Sequence, residues 1–242
     1  MCFVFAMTTI LTWVVLLFLS FLPPLLYTIW MRNREGYNRE QWIPIFLCFL
    51  WGATIAVVAA FILEVIFELP FTYSSSDAGT TPFLAAVVIA PVVEEFTKPL
   101  ALRLKTVKRN LDEFEDGLIY GAVAGLGFSA TENLLYGYNF LSEGIVAFLV
   151  LIAIRSFGGC LLHASATALT GYGYGKTVMK HSSLFGVLPY FILAIFLHGS
   201  YNFLVSYELV GVISGLFLAF LFVIIAITVI RKKIRALDER TF

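Results

Sequence analysis

The chain has 242 residues and no net charge, with 60% of its residues apolar and 13% charged; its mean hydropathy is +0.91. That balance excludes an ordinary soluble domain, whose surface needs more polar residues, and zero net charge offers no electrostatic handle for nucleic acid. Cys2, Cys48 and Cys160 all fall in apolar stretches, so neither a disulfide framework nor a thiolate metal cage is read from them.

A helix needs about 20 apolar residues to cross the hydrocarbon. The first such segment, 3–30, has no Lys or Arg ahead of its apolar run and outlasts a signal-peptide core, so it reads as a retained span. The second covers 42–67. A connector at 68–81 follows, with Tyr73-Ser74-Ser75-Ser76-Asp77-Ala78-Gly79 as a flexible centre. The third span is 82–104, and residues 105–116 form an interfacial turn that changes from basic to acidic. Spans four to seven are 117–139, 145–174, 184–205 and 209–230.

The basic residues sort onto alternate loops. Arg32, Arg34 and Arg39 follow span one; Arg103, Lys105, Lys108 and Arg109 follow span three; Lys176 and Lys180 follow span five. Arg231, Lys232, Lys233, Arg235 and Arg240 follow span seven. Together these are 14 of the 16 basic residues. The sorting predicts an all-α, polytopic bundle of about seven spans in one transmembrane domain, residues 1–242. The N-terminus is then outside and the C-terminus cytoplasmic.

The two remaining cations, Lys98 and Arg155, lie inside spans three and five, where Glu94, Glu95 and Glu132 join them. Each costs about 2.5–3.5 kcal/mol at mid-membrane, so they are expected to face one another or a water-filled cavity. On a helix, Lys98 falls about 40° from Glu94 and about 60° from Glu95, so one ammonium serves both. Pro91 and Pro99 flank them and free backbone carbonyls. Span four carries Gly117, Gly121, Gly125 and Ser129 every fourth position, then Glu132-Asn133. Small residues at that spacing let a neighbouring helix approach closely. Arg155 is a candidate salt-bridge partner for Glu132. His163, Thr167, Thr170 and Tyr174 form a polar stripe on span five, and His198 and Asn202 share one face of span six. His181 sits in a loop.

Carboxylates with imidazoles suit three chemistries. One is hydrolysis by glutamate-activated water with His or Asn donors for the oxyanion. Another is a zinc site assembled from separate helices, without an HExxH motif. The third is a Glu/His relay in a small proton- or cation-coupled transporter. A structural ion-pair cluster in a scaffold is the non-enzymatic alternative.

Four elements stand in order on consecutive spans: Glu94-Glu95-xx-Lys98, Phe128-xxx-Glu132, His163 ahead of Gly171-Tyr172-Gly173-Tyr174-Gly175, and His198-xx-Tyr201-Asn202. The set resembles the PrsW family of intramembrane proteases, which is similar to the type II CAAX prenyl endopeptidases and bacteriocin-processing relatives, the CPBP group. The resemblance covers residues 82–205; spans one, two and seven match no motif. It implies a glutamate-dependent endopeptidase of the cell membrane acting on membrane-embedded or membrane-anchored proteins or peptides. Family substrates include membrane-anchored anti-sigma factors. Glu94 or Glu95 is then the general base, and Lys98 holds the pair. His163 binds or polarises the water, and His198 and Asn202 stabilise the oxyanion. Glu132 stands where CAAX-type relatives are expected to carry a His. No cofactor is implied, with zinc left open, and the sequence leaves the oligomeric state open.

Overall fold

The computed structural model describes residues 2–34, 39–74, 80–206 and 212–239. Every described apolar segment is helical, and no strand occurs among the described residues. Helix α1 is Cys2–Arg32. Helix α2, Trp42–Trp51, runs through a π-helical turn, Gly52–Ala56, into α3, Val57–Ser74. The third segment is broken: α4 is Thr80–Leu84, a π turn spans Ala85–Ile89, α5 is Ala90–Thr97, and a 3₁₀ stretch spans Lys98–Arg103. Helix α6 is Lys105–Arg109, and α7 is Asp116–Phe140. Helix α8, Ile145–Ile154, passes through a π turn at Arg155–Gly159 into α9, Cys160–Met179. A 3₁₀ turn at Leu184–Val187 leads into α10, Leu188–Ser206, and α11 is Val212–Asp238.

Among the described residues, five helical segments are long and apolar enough to cross a membrane: Ile10–Arg32, Trp42–Phe71, Ile145–Met179, Leu184–Ser206 and Ile213–Leu237. Their exposed side chains include Phe61, Ile66, Phe196 and Phe217, an apolar exterior that suits lipid. The connector expected from residue 68 begins later, because Leu69 and Phe71 extend the exposed apolar face of α3 and the helix continues to Ser74. Residues 75–79 of that connector lie outside the described residues.

Helix α7 is the centre, buried continuously from Asp116 to Ala130. Glycine makes this packing possible. A Cβ on Gly117, Gly121 or Gly125 would strike the backbone carbonyls of Gly171, Thr167 and His163 on α9. On the opposite side, a Cβ on Gly127 would strike the Phe49 carbonyl of α2. The backbones are therefore in contact on both sides of α7, as close helix pairs in lipid require. Gly125→Ala is expected to cost about 1–3 kcal/mol, because the added methyl overpacks a contact made of backbone. Thermal unfolding in detergent measures it.

The π turns leave carbonyls that neighbouring helices take up. Thr131 Oγ1 donates to the Ala53 carbonyl at 2.6 Å, and Asn202 Nδ2 donates to the Ala86 carbonyl at 2.8 Å. Pro91 has no N–H for the turn before it, so Asn202 supplies the missing donor. Gly199 allows the approach, since a Cβ there would come within 2.7 Å of the Val87 carbonyl. Unsatisfied backbone in lipid costs several kcal/mol, so such side-chain donors are what allow the breaks.

At the Lys/Arg-rich end, Asp116 ties down the turn ahead of its helix: Oδ2 accepts from the backbone N–H of Asp112 at 2.7 Å and of Glu113 at 2.6 Å. Tyr120 donates to Glu40 beside it. Burial pushes the carboxyls of Glu115 and Asp116 up to about 7; Glu113 adds to the rise at Glu115, while the backbone N–H bonds of Glu113 and Asp112 oppose it at Asp116. Both folded values lie above the unfolded carboxyl range near 4. The stability these groups contribute is full below about pH 4 and is lost as pH rises to about 7. Backbone amides of residues 105–120 are thus expected to exchange hydrogen faster at pH 8 than at pH 5.5, after correction for intrinsic rates. A Glu115→Gln/Asp116→Asn double variant should remove the difference.

Candidate active site

Helices α5, α7, α9 and α10 bring the charged residues of four segments to one buried place. Pro91 and the π turn ahead of it set the rotation of α5, which turns Glu94 and Glu95 inward. Lys98 ends that helix and lies fully buried. Its Nζ donates to Glu94 Oε2 at 2.6 Å and Glu95 Oε1 at 3.0 Å, and meets His163 Nδ1 at 2.8 Å. The Phe128 ring covers the ammonium at 4.3 Å and tilts against the His163 ring at 5.7 Å.

Each histidine has a carboxylate behind it. His163 Nε2 is 2.7 Å from Glu132 Oε2, and His198 Nδ1 is 3.0 Å from Glu95 Oε1. A carboxylate can only accept, so each of these ring nitrogens is assigned the proton. That leaves a lone pair on His163 Nδ1, 3.7 Å from Glu94 Oε2, and another on His198 Nε2, 3.9 Å from the same oxygen. The two rings meet edge to face at 4.9 Å.

Outer contacts hold this core in place. Arg155 Nη2 stands 2.8 Å from Glu132 Oε2 as an ion pair without hydrogen-bond alignment, and Arg155 Nε donates to Asn133 Oδ1 at 2.9 Å. Tyr136 packs on the guanidinium at 4.2 Å. Thr167 Oγ1 donates to Glu95 Oε2 at 2.9 Å, so Glu95 is bonded through both oxygens. Asn202 stands apart: its amide is committed to Ala86 and makes no bond to the cluster.

The sequence reading passes over Glu64, although it lies within span two. It continues the i, i+4 row Ala56 and Ala60, both packed against Val93 and Phe128. It is half-buried and close enough to Glu94, Glu132 and Lys98 for their charges to act on it. The signal was available: a glutamate between Leu63 and Val65, in an otherwise apolar run, is itself a membrane-embedded charge.

The structure thus defines a helical membrane bundle with acids, imidazoles and an ammonium converging in its interior. A model of the PrsW family, described as intramembrane metalloproteases, matches residues 40–230. The chain is similar to Protease PrsW of Clostridioides difficile (strain 630), 30% identical over 125 residues, 51% of each chain. It is also similar to Protease PrsW of Geobacillus kaustophilus (strain HTA426), 26% identical over 190 residues, 76% of this chain and 77% of that one. A third, Protease PrsW of Shouchella clausii (strain KSM-K16), is 27% identical over 176 residues, 72% of this chain and 75% of that one. The chain therefore spans about half the length of the first relative and about three quarters of the other two. No solved structure matches it. This chain belongs to the PrsW family of intramembrane proteases.

The family description includes a metal, and the donors can be tested for it. Glu94, Glu95, His163 and His198 each offer one ligand atom, all within 4.8 Å of one another. Two imidazole lone pairs and one carboxylate oxygen are a zinc-type donor set, and a carboxylate behind each imidazole is the support such ligands normally have. The donors therefore fit a divalent cation. Lys98 is its competitor, since the ammonium already bonds three of the four residues.

Proposed function

We propose that this protein is an intramembrane endopeptidase whose catalytic unit is residues 82–205, with Glu94 as the general base that activates water. One observation carries the reading: Glu94 Oε2 lies 3.7 and 3.9 Å from two imidazole nitrogens that carry no proton. Those separations are too long for direct hydrogen bonds; His163 Nδ1 accepts from Lys98, and a single water between Glu94 Oε2 and His198 Nε2 can reach both at about 2.8 Å. Glu94 takes a proton from that water, and the oxygen attacks the scissile carbonyl carbon. The carbonyl π pair moves onto its oxygen. When the oxyanion collapses, the C–N bond breaks and the amine leaves with the proton held by Glu94. His198, fixed by Glu95 through Nδ1, orients the attacking water through its Nε2 lone pair, and Lys98 holds both carboxylates in place. Asn202 acts through the backbone, by holding the broken turn ahead of Pro91.

His163 needs its aim fixed, and Glu132 with Arg155 behind it does this. Glu132→Gln is expected to lower kcat/KM about 10–100-fold, with Glu132→Asp recovering part of the loss. Single-turnover cleavage measures both.

A zinc-dependent peptidase is the second reading, favoured by the two lone pairs and Glu94 Oε2 facing one point. Glu94, His163 and His198 would hold the ion, and it would lower the pKa of bound water. The basic-residue sorting supports seven membrane crossings with the N-terminus outside, and the four-element resemblance supports kinship with the CPBP group and placement in the cell membrane. Membrane-anchored proteins are the proposed substrates. The deciding experiment incubates purified protein in liposomes with a fluorogenic membrane peptide, with and without a strong chelator. Cleavage that survives chelation supports the glutamate reading; cleavage lost and restored by zinc supports the second. No cleavage, with ion flux across the liposome instead, removes both in favour of a transporter.

A further inference from the structure

A cavity of about 420 Å³ opens between the α5–3₁₀ segment, the end of α9 and the start of α10. Its walls are Phe96, Leu100, Leu184, Phe185, Leu188 and Phe191, with Glu95 at the inner end and Arg103 and Ser183 at the rim. Phe96, Leu184, Phe185 and Leu188 are exposed on its outer side, so the cavity is a groove open laterally. Its volume falls within the roughly 300–1,000 Å³ of small-ligand sites.

A hydroxyl inside the groove decides between occupants. Thr170 lines it, is 4% exposed, and its Oγ1 has no hydrogen-bond partner. Buried polar groups are almost always paired. Pro99, also in the wall, has no N–H to give the Glu95 carbonyl. A lipid acyl chain would cover the apolar walls and leave Thr170 unpaired. An unwound peptide would cover the same walls and bring backbone N–H and C=O groups, which need partners in lipid.

Resting on the endopeptidase reading, we propose that this groove is the substrate subsite for the residues on the cytoplasmic side of the scissile bond. It selects bulky apolar side chains there, and Thr170 bonds the substrate backbone. The position fits. The groove lies between Glu95 and the loops after spans three and five, whereas Glu132, Arg155 and Glu64 lie on the other side of the cluster. Glu95 in its wall shares Lys98 with Glu94, which makes the groove continuous with the site. The resulting class is a single-pass membrane protein with two or three consecutive apolar residues on the cytoplasmic side of the cut.

The test uses full-length protein in liposomes and a fluorogenic single-pass peptide with leucine at each of those positions. Replacing one leucine by aspartate should lower kcat/KM about tenfold or more. Leu100→Trp and Leu188→Trp, which narrow the groove, should reduce the leucine-over-alanine preference about tenfold. Thr170→Val should raise KM several-fold. In Glu94→Gln protein, a photo-crosslinking leucine at the same positions should label residues 96–103 or 184–191. Cleavage indifferent to these side chains, with crosslinks only to lipid or other helices, overturns the groove and leaves the peptidase reading standing. Crosslinks in the groove without cleavage by the wild type keep the peptide site and overturn the peptidase reading.

Discussion

Glu94→Gln is expected to abolish proteolysis, lowering kcat/KM by about a thousandfold or more in a cleavage assay with a membrane peptide. The amide keeps the shape and cannot take a proton from water. Glu94 Oε2 is bonded to Lys98 and stands 3.7 and 3.9 Å from the two imidazoles, where the proposed mechanism places the attacking water. Glu95 is different. Its oxygens are taken by Lys98, His198 and Thr167, which is the pattern of a residue that positions others. Glu95→Gln should therefore cost less, about 10–100-fold. A Glu95→Gln loss as deep as that of Glu94→Gln would make Glu95 the base and reverse the assignment.

Lys98→Met is expected to destabilise the folded protein by about 3–5 kcal/mol, because it strands two buried carboxylates without their shared cation. Methionine fills most of the same volume, so the loss reports charge more than packing. Thermal unfolding in detergent gives the number. Glu95→Gln/Lys98→Met removes a negative charge along with the positive one and should recover part of the stability. Failure of the double variant to recover any would mean that Lys98 acts through packing against Phe128, 4.3 Å away, and not by neutralising the pair.

The cluster was largely legible because a charge in a hydrocarbon span is conspicuous and cannot stand alone. Glu94, Glu95 and Lys98 are three or four residues apart on one helix, and their mutual bonds follow from helical spacing. The close approach of α7 and α9 was legible for a similar reason: Gly117, Gly121 and Gly125 form a row without side chains, and a row of that kind faces another backbone. Other parts were hidden. His198 and Asn202 share a helix face by spacing, yet the structure puts His198 on Glu95 and Asn202 on the Ala86 carbonyl. No helical wheel contains the reason, which is a carbonyl left without a donor by Pro91 on a different helix. Glu64 is visible in the sequence as a charge in an apolar run, but its approach to Glu94, Glu132 and Lys98 depends on how α3 packs against α5.

The sequence by itself determined that the chain is helical and apolar enough for a membrane, and which residues must hide from lipid together. These follow from local rules: apolar length, helical spacing and the energy of a charge in hydrocarbon. Only the tertiary structure decided which carboxylate backs which imidazole, which oxygen is left facing two lone pairs, and where a groove meets Glu95. Those depend on how three π turns and a proline rotate the helices against one another. Rotation about a helix axis is set by contacts between segments far apart in the chain, and spacing within a segment does not record it.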